Sequence, residues 1–85
     1  MSTPATLTLL SRPGCHLCDA AREVLAGILP EFSSVTFTEK SILDDAELHD
    51  RYVEEIPVVL INDRVHNIYR VDPVRLRAAL KEVTE

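Results

Sequence analysis

The sequence has little positive charge, and none of it is concentrated. Nine Lys and Arg residues stand against 14 Asp and Glu residues, which gives a formal net charge of -5, and the basic residues are scattered along the chain. A surface for nucleic acid or for an anionic membrane would need clustered Lys and Arg. The charge balance therefore argues against both partners, and we expect neither nucleic-acid nor membrane binding.

Long apolar runs and targeting signals are lacking too. No apolar stretch approaches the roughly 20 residues of a membrane span. The opening Met-Ser-Thr-Pro-Ala-Thr has neither the basic nor the apolar region of a secretory signal, so we expect a cytoplasmic protein. The 85 residues predict one domain over 1–85, and the 46% content of hydrophobic residues is typical of a globular chain.

Cysteine occurs only twice, as Cys15 and Cys18 in the order Cys-His-Leu-Cys. In a reducing compartment, a close pair is more often catalytic, redox-sensing or metal-binding than a permanent disulfide. Intramolecular zinc normally needs four ligands, and there is no second cysteine pair, so we predict no metal site within one chain. Three interpretations remain at this point: small core residues, a redox dithiol, or a metal or iron–sulfur cluster shared by two chains.

Segments with strand and helix patterns alternate along the chain. Strands are expected at 5–10, 34–38, 57–61 and 65–69, and helices at 16–29, at 41–53 and from Asp72-Pro73 onward. The continuous apolar run 57–61 predicts a central strand buried on both faces. The order βαβαββα predicts an α/β domain with a four-stranded mixed sheet flanked by helices. We expect parallel pairing across the first two helices and a hairpin turn at Asn62-Asp63.

The position of the dithiol indicates its chemistry. Cys15 follows a strand and a Pro-Gly loop and opens the first predicted helix, with Cys18 one turn further on. Unpaired N–H groups and the positive dipole end at a helix start stabilise a thiolate, and Arg12 and protonated His16 would add positive charge. We therefore predict that Cys15 attacks a disulfide and that Cys18 resolves the mixed disulfide.

The order of motifs along the chain resembles the thioredoxin superfamily: a strand, a loop, Cys-x-x-Cys on a helix, and then Ile56-Pro57-Val58 before a hairpin and a last helix. The length, and Arg12 three positions before the first cysteine, are similar to the glutaredoxin branch and its small bacterial glutaredoxin-like proteins. The resemblance implies a thioredoxin-like (glutaredoxin-type) fold and thiol–disulfide oxidoreductase activity. It also implies a cis bond before Pro57, with the backbone of Ile56 pairing with an extended peptide or with glutathione.

Several positions depart from the glutaredoxin pattern. His16 and Leu17 replace the usual Pro-Tyr, Glu55 stands where Thr is usual, and 64–72 lack the usual Gly-Gly pair. Glu54 and Glu55 either form an ordinary solvated surface or repel glutathione, which is negatively charged. Side chains in place of glycine would obstruct close backbone approach. The sequence therefore predicts no resident cofactor and a poor glutathione site, with glutathione at most a co-substrate.

Two alternatives to the oxidoreductase stay open. The missing glycines motivate a thioredoxin-fold module that binds a protein partner without catalysis, and two cysteines from each of two chains would allow a dimeric metal or iron–sulfur carrier. We expect a monomer whose partner is a disulfide-containing protein or a small thiol. Leu17 is expected to pack against the sheet or the loop around Pro57. Tyr69 and Arg70 either line a substrate groove or form ordinary hairpin surface, and His49 and His66 are given no role.

Overall fold

A four-stranded mixed sheet forms the centre of the structure, a computed structural model that describes residues 3–85. Its elements are β1 (Ala5–Ser11), α1 (His16–Ile28), β2 (Val35–Ser41), α2 (Ala46–Tyr52), β3 (Val58–Ile61), β4 (Arg64–Ile68) and α3 (Pro73–Thr84). Short 3-10 turns at Leu29–Glu31 and Ile42–Asp44 follow α1 and β2. The order βαβαββα and the mixed sheet confirm the predicted α/β architecture.

Met1 and Ser2 lie outside the described residues. Two expectations include these residues: the single domain over 1–85 and the absence of a secretory signal at the start of the chain. Both stay predictions. Across residues 3–85, no helix combines the length and the apolar character that crossing a membrane requires.

The strands lie in the order β2-β1-β3-β4, and one predicted pairing is wrong. β1 and β2 are parallel, as expected for a connection through α1, but β3 runs antiparallel to β1. With seven residues, α2 is about 10 Å long, whereas the seven residues of β2 span about 23 Å. The helix is therefore too short to return the chain along the sheet, and β3 starts where β1 ends, with Val58 opposite Leu10.

The sheet separates two apolar clusters. The larger one lies where α1 and α3 cover one face, and it consists of Leu7, Leu9, Ala21, Leu25, Ile28, Val59, Ile61, Leu76 and Leu80. The smaller one lies towards α2, and it consists of Leu10, Cys18, Ile42, Tyr52, Ile56 and Val58. Successive residues of β3 enter different clusters, and Val58 and Val59 are both fully buried, which confirms the prediction of an interior strand.

The region after β1 departs from the expected element bounds. β2 extends to Ser41 rather than to 38, because all seven of its residues pair with β1. The single helix expected at 41–53 is divided into a 3-10 turn and α2. The division falls at Asp45, whose carboxylate accepts hydrogen bonds from the N–H groups of Glu47 and Leu48 and starts α2 as its N-cap.

Local signals in the last third of the chain are confirmed. Asn62 and Asp63 form the turn between β3 and β4 with φ values of 50° and 66°, a conformation that these two residue types tolerate. Asp72 caps α3: its Oδ1 accepts from the N–H groups of Val74 at 2.9 Å and Arg75 at 3.3 Å. Pro73 then occupies the first turn, where its missing N–H is not needed.

We predict that Asp72→Ala lowers the free energy of unfolding by about 1 kcal/mol, because two N–H groups of α3 lose their acceptor. Asp72→Asn should lower it far less, since the amide oxygen can still accept. Urea denaturation followed by circular dichroism measures both variants. Equal losses in the two would show that the cap is not what stabilises the start of α3.

Candidate active site

Cys15 occupies the N-cap position of α1. The turn at Gly14, which has a φ of 75°, leads from β1 to Cys15, whose own backbone is extended. The Cys15 Sγ accepts a hydrogen bond from the Cys18 N–H at 3.2 Å, in the place where a Ser or Asp oxygen commonly caps a helix. This N–H and the positive end of the helix stabilise negative charge on the sulfur. The side chain is half-buried and thus open to a substrate on one side.

Cys18 lies in a different environment from Cys15. It is 0% exposed and packs in the smaller apolar cluster with Leu10 and Ile56. Burial, followed by its hydrogen bond with the Cys15 side chain, raises the pKa of the Cys18 thiol to about 11, although the main-chain N–H of Arg12 opposes this by hydrogen bonding to the sulfur. Both cysteines are free thiols. The dithiol is therefore asymmetric, with Cys18 protonated at neutral pH.

Arg12 and His16 flank the dithiol with exposed side chains. His16 is the first residue of α1, directly after Cys15. The main chain of Arg12 partly offsets the raised pKa of Cys18, and the Arg12 side chain lines a shallow groove towards β2 with Pro13. The predicted electrostatic role of the Arg12 guanidinium stays a prediction.

The loop before β3 packs against the dithiol. The Ile56-Pro57 peptide bond is cis, as the resemblance implied, and Ile56 shares the smaller apolar cluster with Cys18. The Ile56 N–H donates to the Tyr52 carbonyl at 3.1 Å, so this group already has a partner at the end of α2. A peptide that pairs with the Ile56 backbone would have to displace that bond or use the Ile56 carbonyl.

The corner between β4 and α3 is fastened to this loop. The Tyr69 N–H donates to the Pro57 carbonyl at 2.9 Å, and the Arg70 N–H donates to the Ile68 carbonyl at 2.8 Å. The second bond closes a tight γ-turn centred on Tyr69, whose φ is 66°. Positive φ is a strained conformation for a bulky residue, so the surrounding bonds must hold Tyr69 in place.

A groove of about 390 Å³ lies between α1 and this corner. Leu17 is 41% exposed and lines it, which corrects the expectation that Leu17 packs against the sheet or the Pro57 loop. Tyr69 and Arg70 line the opposite side, and a role for them in binding substrate stays a prediction. The remaining lining residues are small or apolar: Ala20, Ala21, Val24 and Val71.

A polar network that the sequence did not reveal supports the Cys15 loop. The buried Ser11 donates its hydroxyl to Glu39 at 2.6 Å, and the Arg22 guanidinium binds both Glu39 oxygens and also Asp19. Arg22 thereby holds the pKa of the Glu39 carboxyl below its usual range. The network joins the end of β1, the first turns of α1 and β2. Only the Asp19–Arg22 spacing was visible in the sequence, because the contact with Glu39 depends on strand register.

No group of three or more His, Cys, Asp or Glu side chains comes together as a metal site within residues 3–85. His49 lies on α2 beside Asp50, and His66 lies on β4. Burial lowers the pKa of His66, with a smaller contribution from Arg75. A cluster shared by two chains would use the cysteines of both, and it stays an untested alternative.

A family model described as a glutaredoxin-like domain (DUF836) matches residues 6–81. The chain belongs to this glutaredoxin-like family. An uncharacterised protein of Mycobacterium tuberculosis is 31% identical over 99% of this chain and 90% of its own length. A glutaredoxin-like protein of Dictyostelium discoideum is 28% identical, covering 91% of this chain and 76% of that protein.

Solved structures agree with this assignment. The X-ray structure of a protein from X. campestris has a TM-score of 0.71 at 37% identity and covers 89% of this chain and 96% of its own. A thioredoxin from Halobacterium salinarum has a TM-score of 0.72 at 16% identity, covering 98% and 77%, and shares the fold alone. The resemblance to small glutaredoxin-like proteins of the thioredoxin superfamily is thereby confirmed.

The raised pKa of Cys18 predicts a pH dependence of stability. The pKa of the Cys18 thiol is 9.0 in its ordinary state and about 11 in the folded chain. Between these two pH values the unfolded chain has lost the Cys18 proton, whereas the folded chain keeps it. The folded state thus binds more protons, and the free energy of unfolding of the reduced protein should fall as pH rises from about 9 to about 11. The difference between the two pKa values limits the fall in the free energy of unfolding to about 3 kcal/mol.

Urea denaturation of the reduced wild type and of Cys18→Ala at several pH values between 8 and 10.5 measures this effect. Other groups titrate in the same range, so the informative quantity is the difference between the two curves. The wild type should lose stability more steeply than Cys18→Ala. Parallel curves would show that the Cys18 thiol titrates alike in the folded and unfolded chain.

Proposed function

We propose that this glutaredoxin-like protein is a thiol–disulfide oxidoreductase in which Cys15 attacks and Cys18 resolves. The asymmetry of the dithiol carries the proposal. Cys15 is half-buried and caps α1 with its sulfur, whereas Cys18 is buried and keeps its proton at neutral pH. Such an arrangement favours nucleophilic attack by the first sulfur and delays the second.

The exchange has two steps. First, the Cys15 thiolate attacks one sulfur of a substrate disulfide, the substrate S–S bond breaks, and the leaving thiolate takes a proton from water. Second, Cys18 gives its proton to solvent and attacks the Cys15 Sγ, the bond between Cys15 and the substrate breaks, and the second substrate thiolate leaves and takes a proton from water. The substrate gains two electrons and two protons, and a Cys15–Cys18 disulfide forms. A thiol or dithiol reductant must then restore the pair.

The surroundings of Cys18 suit this order of events. In the free dithiol, the hydrogen bond with the Cys15 side chain and the charge of Cys15 both help to keep Cys18 protonated. A mixed disulfide at Cys15 carries no charge, so the second of these causes disappears once the substrate is bound. The main-chain N–H of Arg12 is then in place to stabilise the developing Cys18 thiolate.

We propose that the other predicted site residues contact the substrate. The exposed Arg12 and His16 side chains would attract the departing thiolate, and the loop of Ile56 and Pro57 would hold the chain beside the reacting cysteine. The partner is then a disulfide-containing protein or a small thiol, met by a monomer in the reducing cytoplasm. Glutathione is a poor candidate because Glu54 and Glu55 directly precede Ile56.

Two variants test the function on the full chain. With a small disulfide such as hydroxyethyl disulfide, the reduced wild type should release thiol. Cys15→Ser should abolish the release, because the remaining cysteine, Cys18, is buried and protonated at neutral pH. Cys18→Ser should still complete the first step and accumulate a mixed disulfide at Cys15, which intact mass spectrometry detects. Circular dichroism of both variants serves as the control for folding.

Each alternative has its own result in this experiment. A folded wild type that reduces no disulfide would overturn the proposal and favour a non-catalytic binding module. A protein purified without oxygen as a dimer that contains metal or iron–sulfur would favour the carrier. Release of thiol by Cys15→Ser at the wild-type rate would show that Cys15 is not the nucleophile.

A further inference from the structure

We propose that Arg22 promotes the second step of the exchange by holding a positive charge beside the Cys18 sulfur. The proposal rests on the thiol–disulfide exchange proposed above and adds to it a residue outside the dithiol. In the second step Cys18 gives its proton to solvent, so a negative charge forms on a buried atom. Arg22 gains and loses neither a bond nor a proton, and it acts through Cys18 as a positioning residue.

The Arg22 side chain points back along α1 towards the turn that holds Cys18. Residues four apart on a helix share one face, with Cβ atoms about 5–6 Å apart, and helical side chains lean towards the helix N-terminus. Arg22 does so, because its guanidinium binds the carboxylate of Asp19, which precedes it by three residues. The guanidinium therefore lies beside the turn of Cys18, whereas Cys15 lies about 10 Å from Arg22 along the helix axis.

Glu39 fixes the guanidinium in this position. The Arg22 Nε lies 2.9 Å from both carboxylate oxygens of Glu39, and Nη2 lies 2.9 Å from one of them. The buried Ser11 donates its hydroxyl to the same carboxylate at 2.6 Å. Because Ser11 and Glu39 belong to the paired strands β1 and β2, the sheet holds the charged end of the arginine. A charge that is already in place needs no reorganisation when a thiolate forms beside it.

Cys18 benefits from a cation because it must ionise inside an apolar cluster. Burial is the main cause of its raised pKa, and the charge of Arg22 acts against that cause. The charge of Cys15 raises the pKa of Cys18, but this contribution ends once Cys15 is bound to the substrate. Tyr52, which α2 brings to the same cluster, has a phenol rather than a charged group. Arg22 is thus a cation placed to stabilise the Cys18 thiolate during the second step.

Two opposing effects keep the contribution of Arg22 small. The carboxylates of Asp19 and Glu39 offset part of the field of the guanidinium, although both reach solvent and are partly screened by it. In addition, a thiolate of higher pKa is a better nucleophile, with a Brønsted slope of about 0.5. A ten-fold loss of Cys18 thiolate therefore slows the exchange only about three-fold.

A neutral disulfide with a coloured product separates the two steps in the reduced full chain. Equimolar 2,2′-dithiodipyridine releases one thiopyridone when Cys15 attacks and a second when Cys18 resolves, and stopped-flow absorbance follows both phases. Arg22→Gln should leave the rate of the first phase unchanged and slow the second about two- to three-fold at neutral pH. The curve of second-phase rate against pH should also shift to higher pH, which a purely structural role of Arg22 would not cause.

Two further variants assign the effect to charge at this position. Arg22→Lys keeps the charge and should resolve at close to the wild-type rate. The matched control is Arg77→Gln, because Arg77 on α3 forms the same kind of fork with Glu31 and is similarly exposed, but lies near the other end of α1. Arg77→Gln changes the net charge equally and should leave both phases unchanged.

The possible failures are distinguishable. If both phases are observed but Arg22→Gln resolves at the wild-type rate with an unshifted pH curve, the role of Arg22 is wrong and the oxidoreductase stands. An equal slowing in Arg77→Gln, or in Arg22→Lys, would also overturn it. If the wild type releases no thiopyridone, both proposals fall. Circular dichroism checks folding, and Arg22→Met, which is also uncharged and favours a helix, replaces Arg22→Gln if that variant does not fold.

Discussion

The hydrogen bond from the Cys18 N–H to the Cys15 sulfur both starts α1 and positions the two cysteines. A helix start leaves its first N–H groups without partners, and here a sulfur takes the place of the usual oxygen acceptor. The same contact fixes the two cysteines one turn apart, with one sulfur at the surface and the other in the apolar cluster towards α2. The contact that caps α1 is therefore also the contact that orients the dithiol.

The remaining contacts of the site hold this helix start in its place. The Glu39–Arg22 pair joins the first turns of α1 to β2, and the Pro57 loop covers Cys18 from the side of β3. Tyr69 then fastens the β4–α3 corner to that loop through the Pro57 carbonyl. Elements that lie far apart in sequence are therefore joined to one another around the dithiol.

Local features were predictable from the sequence, and non-local ones were not. The Asp72 cap, the Asn62-Asp63 turn and the Cys15 helix start each depend on a few neighbouring residues, so residue type was sufficient. The direction of β3 depends on the length of α2, and the contact of Glu39 with Ser11 and Arg22 depends on the register of β2. The bond between the Tyr69 N–H and the Pro57 carbonyl likewise forms only when two separate segments meet.

The membership of Cys18 in an apolar cluster has a thermodynamic consequence. Folding and reduction of the dithiol form a closed cycle, so any packing change that stabilises the reduced fold more than the oxidised fold makes the pair easier to reduce by the same free energy. For a two-electron couple, about 30 mV corresponds to about 1.4 kcal/mol. If the pair is redox-active as proposed, substitutions at Ile42 and Val58, which share this cluster with Cys18, would change its oxidising strength through the core.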